Sequence, residues 1–432
     1  MSNSTKRPNI VFLFADDWGK YASAYSSIEG TQSVNGLIHT PNFDRIATEG
    51  ALFTNAFVPA PSCTPCRSSI LSGTYFWETG LGAILEGAVW DQSIPSYPLM
   101  LENTGYHIGY TYKAWAPGKY ENSPYGGERT RYEAFGNKFG EFSQNVTKLM
   151  ATMNKDEAKS AMLNETRNNF LSFLQDVPDD SPFCYWWGPV NTHREWQQGS
   201  GKELWGLNPD RLEGRMPEFL PDVHEVREDF NDYLGEAQAF DAGAGVILEE
   251  LENAGLLENT LVVMSGDHGI PGFPRAKCNL YDFGSQVALA AMWPDKIRSG
   301  QLINTVVNLM SLAPTFLDAA GEPIPSNMAE SLLPLVQNNA DYSADATDSY
   351  VILGRERHVG YAREGGLPYP SRAIRTKDFL YIRNFMPDRW PMGSPDGLED
   401  PNVTNTEEIL EKGAYSYYYM TGATRAVYGD WD

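Results

Sequence analysis

Long apolar runs, cysteine and positive charge are all scarce in this chain, and each shortage excludes something. No stretch approaches the roughly 20 apolar residues of a membrane-spanning helix, and the first apolar run, residues 10–15, is only strand-length. Four cysteines, Cys63, Cys66, Cys184 and Cys278, are too few for a disulfide framework in 432 residues. Lys and Arg number 33 against 56 Asp and Glu, a formal net charge of -23. The basic face of a nucleic-acid binder is therefore missing, and adhesion to anionic membranes is disfavoured. The sequence predicts neither partner. An anionic substrate would have to meet basic groups gathered locally. The start also lacks a charged segment leading into a long apolar run and a small-residue cleavage site. As written the chain reads as cytoplasmic, and as periplasmic or secreted where a leader has been removed.

What is present suits a globular enzyme. At 42% hydrophobic residues the chain can bury one large core or two unequal ones. Apolar runs at Asn9–Ala15, Phe183–Gly188 and 261–266 read as buried strands. Between them, residues 233–254 place Phe240, Val246, Ile247 and Leu251 at helical spacing and end at Gly255. Strands alternating with helices predict an α/β fold with a mostly parallel sheet covered on both faces. Ligands of such sheets gather beyond the carboxyl ends of the strands. Two of the runs end there in Asp16-Asp17 and in Asp267-His268. The texture changes near 325–350, where residues 337–349 read as a linker. Strands at 350–354 and 379–383 then suggest a smaller α+β module, and residues 387–408 a surface loop. The expected division is a catalytic domain over 1–345 and a module over 346–432 that contributes to the substrate pocket.

The densest local signal is Ser62-Cys63-Thr64-Pro65-Cys66-Arg67. Thr64 can cap a helix and Pro65 suits its first turn, which puts Cys63 at a helix N-terminus. Unpaired amides and the helix dipole favour an anion at that point. The same residues spell Cys-x-x-Cys, a thiol redox pattern, and by themselves leave both readings open.

Cys63-x-Pro65-x-Arg67 resembles the signature of the type I sulfatases, whose Cys is oxidised after translation to formylglycine. Further segments match that family in order over roughly residues 8–385. Residues 9–17 resemble its opening strand with two metal-binding Asp, and Ser265-Gly266-Asp267-His268-Gly269 its later metal loop. Lys113 resembles the Lys of its Gly-Lys-x-His stretch, Asn191-Thr192-His193-Arg194 the segment carrying a catalytic His, and Lys277 before Asn279-Leu280-Tyr281 a sulfate-gripping cation. Each pattern alone has a plain structural explanation, a turn, a cap or a solvated Lys. Their order is what adds weight.

The resemblance implies an alkaline-phosphatase-like fold and a sulfuric ester hydrolase. Asp16, Asp17, Asp267, His268 and the residue at 63 would bind Ca2+, or alternatively Mg2+ or Mn2+. The formylglycine made from Cys63 by a formylglycine-generating enzyme would supply the nucleophile, Arg67, Lys113 and Lys277 would hold sulfate, and His193 would protonate the leaving atom. In the second module, Arg355, Arg357 and His358 would bind substrate. These segments look most like the heparan N-sulfatase branch and its bacterial carbohydrate-sulfatase relatives. The implied substrate is a sulfated oligosaccharide or polysaccharide, marine or glycosaminoglycan. A sulfamate hydrolase acting on N-sulfoglucosamine, a phosphonate or phosphodiester hydrolase, a thiol oxidoreductase and a non-catalytic saccharide binder stand as alternatives. Two departures stand out. Trp115 occupies the place of the family's His two residues after the Lys, and no Glu-Leu-Tyr-Asp segment follows Asp432, which implies a shortened second module.

Overall fold

The computed structural model describes residues 6–119, 124–337, 349–358, 360 and 363–389. Most of the expected linker, the 345/346 division and the loop beyond 389 lie outside the described residues.

The larger sheet contains β1 (Asn9–Ala15), β2 (Ala51–Phe57), β3 (His107–Tyr112), β4 (Phe183–Gly188), β5 (Thr260–Gly266), β6 (Gln286–Met292) and β7 (Gln301–Asn308) in the order β3-β4-β1-β5-β6-β2-β7. Among its described pairings only β6 runs antiparallel to its neighbours. The expected mixed, mostly parallel sheet is therefore present. Every residue of β1 and β5 is buried, as expected of strands covered on both faces. Alternate β1 side chains feed two cores. Val11, Leu13 and Ala15 pack with the long helix His224–Asn253, whereas Ile10, Phe12 and Phe14 pack with helices Cys63–Ser72 and Leu312–Ala319.

Register does the positioning. Ala15 pairs with Gly266 across β1 and β5, so the next residues, Asp16 and Asp267, leave the sheet side by side. On the other flank Leu13 pairs with Trp187 of β4, and Tyr112 of β3 pairs with Gly188. Lys113 and the turn carrying His193 therefore rise beside Asp16.

A second sheet of β8 (Tyr350–Arg355), β9 (Ser371–Thr376) and β10 (Leu380–Asn384) is antiparallel, in the order β10-β9-β8. Val351, Leu353 and Ala373 bury against Phe57, Leu280 and Val306 of the larger domain. The sequence reading missed β9, because Arg372 and Arg375 mask its alternation. The long helix starts at His224, nine residues before the expected 233, since Val226 and Phe230 already bury an apolar stripe. Ser62, not Thr64, is the N-cap of helix Cys63–Ser72, and Thr64 instead donates to the Pro117 carbonyl at 2.7 Å. Pro65 lies in the first turn, where its missing N–H costs nothing.

Candidate active site

Strand ends and one helix start converge on Cys63. Asp17 adopts a left-handed backbone (φ 59), costly for a non-glycine residue and typical of functional turns. That turn lets its N–H donate to Asp267 Oδ1 at 2.8 Å, while its carbonyl accepts from Tyr233 OH at 3.0 Å. His268 Nε2 lies 3.4 Å from Cys63 Sγ, 3.2 Å from Asp17 Oδ1 and 3.4 Å from Asp267 Oδ1. Donor atoms of Asp16, Asp17, Cys63 and His268 all fall within 4.8 Å of one another. Asp267 adjoins that group, but its oxygens also accept from the Asp17 N–H and from Arg67 Nε, the latter at 2.9 Å.

Three cations interleave with the three carboxylates. Lys113 Nζ lies 2.8 and 2.7 Å from the Asp16 oxygens, and Lys277 Nζ 2.9 Å from both Asp17 oxygens. Arg67 joins Asp267 to Asp16 (3.3 Å) and donates to the Lys113 carbonyl at 2.6 Å. His193 Nε2 sits 3.9 Å from Asp17 Oδ2, and its Nδ1 is 2.6 Å from the Arg194 carbonyl. That contact assigns the proton to Nδ1 and leaves Nε2 facing the site. The side chains of His193 and Lys113 keep 18% and 12% of their exposure, while those of Arg67, Asp17, Asp267 and His268 keep none. Solvent, and so a substrate, reaches the ring past His193 and Lys113.

Burial dominates the electrostatics. It is outweighed at Asp16 by Lys113 and Arg67, which hold that carboxyl well below the usual range. Burial lifts Asp17 to about 6 against the pull of Lys277 and His268, and it lifts Asp267 to about 7 with help from Asp16. Burial drives His268 down to about 3, and does the same to His193 with help from Lys277. Crowded carboxylates with neutral imidazole nitrogen beside them form an oxygen-rich set that suits a hard divalent cation. Burial pushes the Cys63 and Cys66 thiols up, Asp16 adding to it at Cys63 and Asp267 at Cys66. A redox Cys-x-x-Cys needs a stabilised thiolate, so this environment opposes that reading.

The structure brings together Asp16, Asp17, Cys63, Arg67, Lys113, His193, Asp267, His268 and Lys277. It places the three residues of the second module differently. His358 is buried beside the ring, with Nδ1 2.7 Å from Ser62 Oγ. Arg355 donates to the Cys278 carbonyl at 2.8 Å, next to Lys277. Arg357 turns to the Glu86 and Gly366 carbonyls at 2.9 and 3.1 Å and stands outside the ring. Trp115 is buried under the Cys63 helix, its Nε1 donating to Ser68 Oγ at 2.9 Å. Sequence reasoning missed Ser62 and Tyr233. A hydroxyl beside the motif could have flagged the first, whereas no local signal marks the second.

The fold is of the alkaline-phosphatase-like class, and its site groups Asp16, Asp17, Cys63 and His268 as a divalent cation would require. Residues 8–322 match the sulfatase family model, and residues 275–411 that of the N-sulphoglucosamine sulphohydrolase C-terminal region. The chain belongs to the sulfatase family and is a sulfuric ester hydrolase. It is 27% identical to human N-sulphoglucosamine sulphohydrolase over 414 residues, covering 87% of this chain and 73% of the relative. It is 29% identical to an ulvan-active sulfatase of Formosa agariphila, covering 92% and 76%. A solved structure in complex with its substrate D-glucosamine-2-N,6-O-disulfate superposes with a TM-score of 0.60 at 20% identity, covering 87% of this chain and 88% of the other. At that identity the likeness concerns the fold.

Proposed function

We propose that this enzyme removes sulfate from a sulfated saccharide, with formylglycine at position 63 and Ca2+ held by Asp16, Asp17, Asp267, His268 and residue 63. The observation that carries this reading is the position of Cys63 Sγ, 3.4 Å from His268 Nε2 and inside the cluster of metal donors. Sγ stands in for a diol oxygen of the hydrated aldehyde. Bound together, cation and diol would supply a polarised hydroxyl for attack on sulfur and a second hydroxyl able to expel sulfate.

The chain's own groups do the rest. Arg67, Lys113 and Lys277 hold the sulfate oxygens as charge redistributes, working in a water-poor pocket where such contacts are strong. With Asp16 and Asp17 holding a cation, Lys113 and Lys277, which pair with them in this structure, would turn toward the sulfate oxygens. His193 Nε2, at the accessible rim, donates a proton to the departing oxygen. An arriving sulfate anion opposes the effect of Lys277 and favours the imidazolium. From the smaller module, Arg355 beside Lys277 and His358 beside Ser62 border the saccharide side, whereas Arg357, held by the Glu86 and Gly366 carbonyls, would have to leave them to reach substrate. A formylglycine-generating enzyme is the maturation partner.

Peptide mass analysis at residue 63, paired with assays on sulfated saccharides before and after chelation, tests this reading. Aldehyde at 63 with chelator-sensitive sulfate release supports it. An unmodified thiol in fully active protein, or full activity without metal, overturns it. The match of residues 275–411 to the sulphohydrolase C-terminal region favours a second reading, N-sulfoglucosamine as substrate. Release of sulfate from N-sulfated but not O-sulfated glucosamine would select it.

A further inference from the structure

Helix His224–Asn253 presents Asp229, Tyr233 and Glu236 at spacings of four and three residues, so they share one face. All three serve the loops around Cys63. Tyr233 OH accepts from the Gly19 N–H at 2.9 Å and donates to the Asp17 carbonyl. Asp229 holds the Arg194 guanidinium through two 2.6 Å bonds. Glu236, only 2% exposed, accepts from Asn191 Nδ2 at 2.9 Å and from the Ser143 N–H at 3.2 Å. Its carbonyl takes a second bond from Asn191 Nδ2 at 2.8 Å.

We infer that Glu236 is a positioning residue for His193, acting through Asn191 and Ser143. Asn191 is a corner of the turn in which the His193 N–H donates to the Val190 carbonyl at 3.0 Å. Ser143 Oγ accepts from the Gln197 N–H at 2.9 Å, so Glu236 braces the His193 loop on both sides of the imidazole. The next residue, Thr192, donates through Oγ1 to the Asp16 carbonyl, which locks the loop to the metal-binding strand end. Without the Glu236 carboxylate, a buried amide and a buried N–H each lose a partner, and the loop can relieve both only by moving. Misplacing a proton donor by about 1 Å costs on the order of 10²-fold in rate.

The inference rests on His193 being the proton donor proposed above, and leaving-group dependence separates the two ideas. A saccharide alcohol needs that proton, whereas 4-nitrophenolate leaves without it. With mature, metal-loaded enzyme, His193→Ala should slow hydrolysis of a saccharide sulfate on the order of 10²–10⁴-fold and that of 4-nitrophenyl sulfate far less. Glu236→Ala should show the same asymmetry, with kcat on the saccharide falling about 10²-fold at little changed KM. Glu236→Gln, which keeps one acceptor oxygen, should lie between it and the native enzyme. Asn191→Ala should reproduce the asymmetry should Glu236→Ala fold poorly. Equal losses on both substrates in the Glu236 and Asn191 variants, with His193→Ala remaining selective, would overturn the positioning role. An unselective His193→Ala would instead overturn the assignment of the proton donor.

Discussion

Arg67 shows how much of the site is held by charge. Its side chain is fully buried, bonded to Asp267 and Asp16 and stacked 5.1 Å from the Phe14 ring. Removing one partner from such a buried set leaves an uncompensated charge, a cost of about 3–5 kcal/mol. Arg67→Met should therefore lower the stability of metal-free protein by that amount in urea unfolding. Added Ca2+ should restore much of it by neutralising the freed carboxylates. An identical loss with and without Ca2+ would separate Arg67 from the metal group. Asp17→Asn tests the donor set directly. It should weaken Ca2+ binding at least tenfold by calorimetry, and unchanged affinity would remove Asp17 from the set. Both residues stood in recognisable segments, Asp17 after an apolar strand and Arg67 four places after Cys63. The bonds that Lys113 and Lys277 make to Asp16 and Asp17 were not legible, because nothing local ties residues so far apart in the chain.

At the scale of elements, helix His224–Asn253 acts as a brace. Besides the face toward Cys63, it directs Asp232 to the Gly199 and Gly201 amides and Asp241 to the Asn42 and Phe43 amides at the start of helix Pro41–Glu49. Burial lifts Asp241 to about 7 even against those donors. Between about pH 4 and 7 the native protein thus keeps a proton that the unfolded chain has released. This contribution to stability is complete at the acid end and is lost as pH rises toward 7. Asp241→Asn cannot titrate, so its stability deficit against the native chain should shrink from pH 5 to pH 8. A deficit that stays flat over that range would mean the Asp241 carboxyl lies low instead. The periodicity of residues 233–254 revealed the helix, but its earlier turns are rich in charge and hid their buried faces. Strand β9 escaped for a similar reason, its arginines lying on a half-covered sheet.

Across the whole molecule, a net charge of -23 surrounds a pocket lined with three cations. Long-range repulsion should slow the approach of a sulfated polysaccharide, and salt shortens that field from ~30 Å at 0.01 M to ~8 Å at 0.15 M. KM for a polysaccharide sulfate should therefore fall as ionic strength rises through that interval, with a smaller change for 4-nitrophenyl sulfate. A KM that rises instead would show that short-range basic contacts govern capture. By itself the sequence determined the chemistry available: strand ends carrying carboxylates, a helix opening on Cys63, and a cation four places later. Those are local patterns, set by burial period and helix-end geometry. Tertiary structure alone decided which groups meet. The β1–β5 register sets Asp16 beside Asp267, the turn after β4 offers His193 at the rim, and Arg357 turns away to loop carbonyls while His358 packs against Ser62. Such pairings depend on strand order and long-range packing, which no short stretch of residues encodes.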